Sequence, residues 1–158
     1  MVDAPWLTTE KLRLVHLILN SYQKAFGTPL LVCNYFNCPS RTVNQEVFAM
    51  RKPLLSHDLT RDPCLTYVNA SALLLWHCRW DEMVGIPSRI TAPTNQLQQR
   101  SAVLNRASSK TSLSGYSGIR VDSLGRRFYI KNAQIWTIWN EIGLPYGQAA
   151  TFSSWEFL

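Results

Sequence analysis

Charged side chains are scarce in this sequence. They make up 16% of its 158 residues, whereas hydrophobic residues make up 46%; soluble domains ordinarily carry about a quarter of charged residues. This composition excludes a disordered chain, and the length suits one domain with a single core. The surface is expected to be rather apolar, which indicates an interface with a partner or with a second copy of the chain.

Long hydrophobic runs are absent as well. No stretch approaches the ~20 apolar residues that a membrane-spanning helix needs, and the run Leu73–Trp76 ends at His77. The first six residues include Asp3 and lack the basic start and apolar stretch of a signal peptide. We therefore expect a soluble protein without a membrane span in a reducing compartment, either the cytoplasm or, for an algal source, the plastid stroma.

Cysteine pairs, catalytic motifs and basic clusters are missing too. Of four cysteines, only Cys33 and Cys38 are closely spaced, and no second pair completes a zinc site. We find no nucleophile elbow, no H-E-x-x-H and no phosphate-binding glycine loop. The carboxylates Glu46, Asp58 and Asp62 lie in turn-like sequence, so we expect solvated acids and no enzyme activity. The net charge of +6 is scattered, which favours a solvated basic surface over a nucleic-acid site.

The first organised segment is an amphipathic helix. Thr8 or Thr9 is a plausible N-cap, the apolar spacing continues to Phe26, and Gly27 followed by Pro29 ends the helix. Its apolar arc is wider than a single core contact requires. Two interpretations follow: the helix is deeply buried in its own domain, or it also contacts a second copy or another protein. For the second interpretation the interface candidates are Leu14, Ile18 and Tyr22.

The remainder of the chain has a segregated pattern of strands and helices. Short helices are predicted near residues 43–50, after Asn69, over residues 79–85 and after Thr94 or Asn95. The fold class is α+β: a five-stranded antiparallel sheet with helices on one face and an N-terminal helix. We divide the chain into the N-terminal helix (residues 1–30) and the sheet domain (residues 31–158). The strands are predicted near residues 53–57, 64–68, 115–122, 127–139 and 146–155.

Several motifs resemble a known family. Residues 63–76 followed by Trp80–Gly85 are similar to the opening of a PAS domain, in which a strand ending in Tyr-x-Asn leads into an Ala- and Leu-rich helix. The last third resembles the MEKHLA family, a PAS-related domain found alone in small bacterial and algal proteins and at the C-terminus of some plant transcription factors. The resemblance covers roughly residues 10–158. The motifs are Pro87–Pro93, Tyr116–Phe128, Ala133–Trp136 and Gly147–Phe152 with Trp155.

The departures from the family pattern limit what the resemblance implies. The six-letter string that names the family is absent, as are homeodomain and zipper segments, so the resemblance is to the stand-alone form and implies no DNA binding. His77 replaces the usual acidic residue after the Leu-Trp pair. The cysteine signature of flavin-binding PAS domains is not found.

The resemblance implies a sheet curled around a pocket, which PAS-like proteins use for haem, flavin, small acids or nothing, so the cofactor is unknown. A haem would need an axial ligand such as His77; an ordinary hydrogen-bonded histidine is the alternative. Trp136 and Trp139 are three apart and should lie on opposite faces of a strand, one in the core and one toward a partner or helix. Trp139 therefore joins the interface candidates. The pocket candidates are Tyr67, Asn69, Trp76, His77, Ile119 and Trp136.

The function implied is a non-catalytic sensory or regulatory module that binds a small-molecule ligand or a protein partner and acts through dimerisation. The alternative is a structural or assembly subunit that docks on a larger complex.

Arg89 and Arg120 lie beside apolar residues in family-like motifs, and an arginine in an apolar strand usually pairs with a carboxylate or carbonyls. We therefore predict that at least one of them is buried and paired.

Overall fold

The computed structural model describes residues 4–31, 37–93 and 112–158. Within them the strands are β1 (Leu54–His57), β2 (Leu65–Val68), β3 (Ser112–Val121), β4 (Arg127–Trp139), β5 (Pro145–Thr151) and β6 (Ser154–Phe157). They form a six-stranded antiparallel sheet of order β2-β1-β5-β4-β3, and β6 also pairs with β4, beyond the end of β5. The predicted antiparallel sheet is confirmed; the fifth predicted strand is divided in two at residues 152–153.

In the segments that the structure describes, four α-helices and two 3₁₀ turns accompany the sheet. Local sequence signals explain their ends: the Thr8 hydroxyl accepts a hydrogen bond from the Lys11 N–H, and Gly27 ends the first helix with a positive φ of 78°. The helix predicted after Thr94 or Asn95 lies outside the described residues. The helices are α1 (Thr9–Phe26), α2 (Ser40–Phe48), α3 (Ala70–Trp76) and α4 (Trp80–Met83), and the 3₁₀ turns are Pro5–Leu7 and Ser88–Thr91.

The helices pack on both faces of the sheet. The sequence predicted helices on one face and an N-terminal helix apart from them, and the difference is that α2 packs beside that first helix. On one face α1 and α2 form a core with Leu54, Trp136 and Ile138. The opposite face carries α3, whose Trp76 packs with Phe128 and Phe152. A central sheet covered on both faces hides apolar side chains on both, which explains why consecutive β4 residues from Ile135 to Ile138 are all buried.

The first helix is part of the same core as the sheet. Leu14, Ile18 and Tyr22, which the sequence suggested as interface residues, are 5%, 0% and 6% exposed within the chain. The expectation that these three residues form a leftover apolar face is therefore wrong, because they pack into the core that α1 shares with α2 and the sheet. An ion pair on the surface strengthens this attachment: Arg13 donates to both Glu141 carboxylate oxygens at 2.7 Å.

None of the helices in the described segments is long and apolar enough to cross a membrane.

Candidate ligand pocket

A small cavity lies between α3 and the sheet. Its walls are the sheet face of β1, β3, β4 and β5 that looks away from α1, together with Trp76 and the Ser88–Thr91 turn. It offers about 70 Å³ to the centre of a water-sized sphere. One water requires roughly 10–15 Å³ by the same measure, so the cavity has room for several waters or a small organic molecule.

The only lysine or arginine among the described residues that line the cavity is Arg120. Its side chain comes from β3 and the residue is only 9% exposed. Nη1 donates to the Ile119 carbonyl at 2.8 Å and Nη2 donates to the Tyr116 hydroxyl at 3.2 Å. The guanidinium carbon lies 5.5 Å from the centroid of the Tyr116 ring, a cation–π contact.

No carboxylate of residues 4–31, 37–93 and 112–158 forms a salt bridge with Arg120. The prediction that at least one of the two arginines is buried is confirmed for Arg120, whose partners are one carbonyl and the Tyr116 hydroxyl. Arg89 differs, because it is exposed and pairs with Asp62 at 3.3 Å. A buried cation without a counter-ion is costly, since the loss of water is not repaid by an opposite charge.

The backbone next to Arg120 leaves space for the contact between Arg120 and Tyr116. Gly118 lies opposite Ile130 in the β3–β4 pair. A Cβ at Gly118 would lie 2.6 Å from the Tyr116 hydroxyl and 3.3 Å from Arg120 Nη1. The missing side chain therefore leaves the space in which the tyrosine and the guanidinium meet.

Gln148 supplies a second polar group. It lies on β5 and is 2% exposed, and its Oε1 has no hydrogen-bond partner among the described residues. Buried side-chain oxygens nearly always have a partner, because an unmade hydrogen bond costs about 1–3 kcal/mol. The cavity therefore presents an unused acceptor as well as an unneutralised cation.

The remaining polar lining residues are engaged with neighbours. His57 Nδ1 lies 2.7 Å from the Asp58 carbonyl oxygen, which can only accept, so Nδ1 carries the proton. The Ser56 and Thr66 hydroxyls lie 2.8 Å apart. The Thr91 hydroxyl donates to the Ser88 carbonyl at 2.7 Å. The rest of the lining is mostly aliphatic and aromatic.

Of the predicted pocket residues only Trp76 lines the cavity. Its indole N–H donates to the Thr91 carbonyl at 3.4 Å, and its ring meets Phe128 edge to face at 5.0 Å. Trp76 is therefore held as a wall of the cavity by both polar and aromatic contacts.

Trp136 and Tyr67 are buried on the other face of the sheet. The Trp136 N–H donates to the Ile18 carbonyl of α1 at 3.2 Å. Tyr67 packs in the same core, 5.6 Å from the Trp80 ring, and burial raises the pKa of its phenol far above the ordinary value. Their assignment to the pocket is wrong, because strand alternation shows that residues share a face and not which face bounds the cavity.

Ile119, Asn69 and His77 do not line the cavity either. Ile119 pairs with Tyr129, and its neighbour Arg120 lines the cavity in its place. Asn69 caps α3: its Oδ1 accepts from the Ala72 N–H at 3.2 Å and the Leu54 N–H at 2.9 Å. His77 is the exposed, left-handed residue that ends α3, with a φ of 56°.

Trp139 was predicted to lie on the opposite face of the strand from Trp136, toward a partner or a helix; the face is wrong, but the helix contact is present. Trp139 and Trp136 lie on the same face of the sheet, because the β4–β5 register shifts between Ile138 and Trp139. Both tryptophans contact α1, Trp136 through its hydrogen bond and Trp139 through Lys24, whose ammonium lies 5.4 Å from the ring centroid. Trp139 thus faces a helix of its own chain.

The described residues also bear on metal and thiol chemistry. They contain no group of three or more His, Cys, Asp or Glu that could hold a metal ion. Asp58, one of the loop acids, organises a turn by accepting from the N–H groups of Thr60 and Cys64. Cys38, Cys64 and Cys78 have free thiols and none lines the cavity, so these residues do not fit a covalent flavin. Cys33 lies outside the described residues.

Gln148 was missed by the sequence analysis, although a signal was present. It is the one polar side chain between Gly147 and two alanines in a short strand. Since strands of this composition are central and buried, a glutamine there requires a polar partner.

Solved structures with the same fold are PAS and light-oxygen-voltage domains. A PAS domain of a protein from Colwellia psychrerythraea aligns with a TM-score of 0.62 at 10% identity, covering 72% of this chain and 95% of that one. An RNA-binding light-oxygen-voltage receptor aligns with a TM-score of 0.65 at 15% identity, covering 80% of this chain and 35% of that one. A light-oxygen-voltage domain studied with a flavin analogue gives 0.55 at 12% identity, covering 74% and 84%.

No curated protein matches the sequence. The MEKHLA domain, by contrast, matches residues 12–157, from the first turn of α1 to the last residue of β6. The match includes α1, in agreement with its place in the shared core. The chain belongs to the MEKHLA domain family and has a PAS-like fold.

Proposed function

We propose that this chain is a non-catalytic sensory module that binds a small molecule in the cavity beside Trp76 and transmits its occupancy through the sheet. Two buried polar groups in a mostly apolar cavity carry the proposal: the Arg120 guanidinium, which has no carboxylate partner among the described residues, and Gln148 Oε1, which has no hydrogen-bond partner there. Apolar cavities with a few convergent polar groups are typical of ligand sites. A cavity that is only a gap in the packing and binds no ligand would lack such groups.

β4 supplies a physical route from the cavity to α1. Ile135 lines the cavity, whereas the residues on either side of it hydrogen-bond with the helix on the opposite face. The Tyr22 hydroxyl donates to Gln134 Oε1 at 2.8 Å, and the Trp136 N–H donates to the Ile18 carbonyl at 3.2 Å. A ligand that shifts β4 would change both contacts, provided that it binds the two arrangements with different affinity.

The experiment is native mass spectrometry and absorption spectroscopy of the protein purified under native conditions, followed by hydrogen exchange. We expect a non-covalent adduct that is lost on denaturation, and slower exchange in α1 and β4 when the adduct is present. An adduct-free protein whose melting temperature no small molecule raises would contradict the proposal. Arg120→Gln should lose the adduct. The matched control Arg89→Gln, which removes an exposed guanidinium outside the cavity, should keep it.

A second candidate is docking on a protein partner, and β6 is the feature that favours it. β6 pairs with β4 along one edge, and no other described strand pairs with its second edge. Trp155 and Phe157 of β6, and Leu158 which follows it, are 37%, 50% and 70% exposed. An open edge next to apolar side chains suits addition of a strand from another chain or from a second copy.

Sedimentation of the wild type and of Trp155→Ser with Phe157→Ser tests this candidate. We expect a concentration-dependent dimer in the wild type that the double substitution weakens. A wild type that stays monomeric at micromolar concentrations would remove the homodimer, while leaving the ligand-binding proposal untouched.

A further inference from the structure

We infer that the ligand is a small organic monoanion, with a carboxylate at Arg120, an apolar body and a hydrogen-bond donor at Gln148. This inference rests on the proposed function and names the chemical class of the ligand. Three features of the cavity carry it: the geometry of the cation, the identity of the unused acceptor and the composition of the walls.

Arg120 is placed to receive a carboxylate. A guanidinium has five N–H donors in a planar fork, and two hydrogen bonds to described residues, at Ile119 and Tyr116, are seen. A carboxylate can take two parallel hydrogen bonds from the same fork and supplies the missing negative charge. A neutral ligand would leave the buried cation without a counter-ion.

The charge of the ligand is limited to about one unit. Arg120 is the only lysine or arginine among the described lining residues. A nucleotide or other polyphosphate would bring several negative charges into an apolar cavity with a single guanidinium. Such ligands usually bind several cations, a helix N-terminus or a glycine-rich loop.

Gln148 distinguishes ligands that carry a donor from those that do not. Its Oε1 can only accept, so a hydroxyl or amide N–H on the ligand satisfies it. The neighbouring walls, formed by Trp76, Ile135 and Phe152, are apolar and suit a short aliphatic or aromatic body. The cavity therefore favours hydroxy acids or N-acylated acids over unsubstituted acids.

The test is a thermal-shift and calorimetric comparison of matched probes. A panel of short aliphatic and aryl monocarboxylic acids is compared with their primary amides, which lack the charge, and with their hydroxylated analogues. The wild-type protein should bind at least one acid at least about tenfold more tightly than its amide. Its hydroxylated analogue should bind more tightly still, by a factor that a neutral hydrogen bond provides, about three- to tenfold.

Three variants assign the effects to residues. Arg120→Gln should remove the preference for acid over amide, Gln148→Met should remove the preference for the hydroxylated acid, and Arg89→Gln should leave both unchanged. Amides binding as tightly as acids to the wild type would overturn the inference while sustaining the proposed function. Absence of saturable binding by every probe, in a protein whose native mass shows no adduct, would overturn both.

Discussion

The indole N–H of Trp136 donates to the Ile18 carbonyl at 3.2 Å, which joins the central strand β4 to α1 on the face opposite the cavity. The two residues are both fully buried. The contact makes α1 an integral part of the domain. It also links α1 to the cavity wall, because Trp136 directly follows Ile135, which lines the cavity.

Trp136→Phe should destabilise the protein by about 3 kcal/mol. The substitution removes the indole hydrogen bond to the Ile18 carbonyl and opens a void beside Tyr22, whose ring lies 4.9 Å from Trp136. Urea unfolding measures the loss. Trp155→Phe is the control, because Trp155 is 37% exposed and its replacement should cost under about 1 kcal/mol.

Ile18→Ala should also cost about 3 kcal/mol in the free energy of unfolding, and should not alter the sedimentation coefficient of the folded protein. Ile18 is fully buried against its own sheet, so the substitution creates a cavity and breaks no interface. If Ile18→Ala instead left the free energy of unfolding unchanged and lowered the sedimentation coefficient, α1 would contact a second copy, contrary to the structure.

Gly147→Ala should destabilise the sheet by about 1–3 kcal/mol. A Cβ there would lie 2.6 Å from the His57 carbonyl oxygen, which is backbone and can move only if β1 separates from β5. Gly143→Ala is a comparison of a different kind: its Cβ meets nothing within 4 Å, but a φ of 83° opposes a side chain. It should cost about 1 kcal/mol, measured by the same unfolding experiment.

Asp122→Asn should lower stability at neutral pH by about 2 kcal/mol and the difference should shrink in acid. Burial raises the pKa of Asp122, but hydrogen bonds from the Arg126 N–H and guanidinium and from the Leu124 N–H outweigh it and lower the pKa. Because the pKa of this carboxyl group is lower in the folded than in the unfolded protein, its charge stabilises the fold at pH values above the unfolded pKa of about 4. This stabilisation disappears as the pH falls through the folded-state pKa.

Urea unfolding of the wild type and Asp122→Asn at several pH values checks this dependence. Asp81→Asn is the control, since Asp81 is exposed and forms only a surface pair with Arg79. A difference between the wild type and Asp122→Asn that stays constant down to acid pH would contradict the assignment.

Signals of short range made the helix ends predictable. Thr8, Gly27 and Asn69 act through hydrogen bonds and a left-handed turn within a few residues, and the structure has each at its predicted place. The strands followed from alternation and glycine-bearing turns. The resemblance to the MEKHLA family supplied the arrangement of these elements in a PAS-like sheet.

The site was less predictable because it depends on which way each strand faces. Asn132 has a positive φ of 55°, and the alternation of β4 changes there, so that Ile130 and Ala133 both line the cavity although they are three apart. A local irregularity of this kind is not visible in hydrophobic spacing. In β3 the pairing with β4 is irregular on both sides of Tyr116. The sequence selected Trp136 and Ile119, whereas their neighbours Ile135 and Arg120 line the cavity.

The most direct test is a nuclear magnetic resonance titration with the tightest-binding acid of the panel, observing the side-chain N–H signals of Arg120 and Gln148. If the cavity is a ligand site, the Arg120 Nε–H signal moves downfield and the Gln148 amide signals shift in proportion to occupancy, followed by backbone signals of Ile135 and Ile18. A saturable titration that leaves both side-chain signals unmoved and shifts residues of β6 instead would contradict the account.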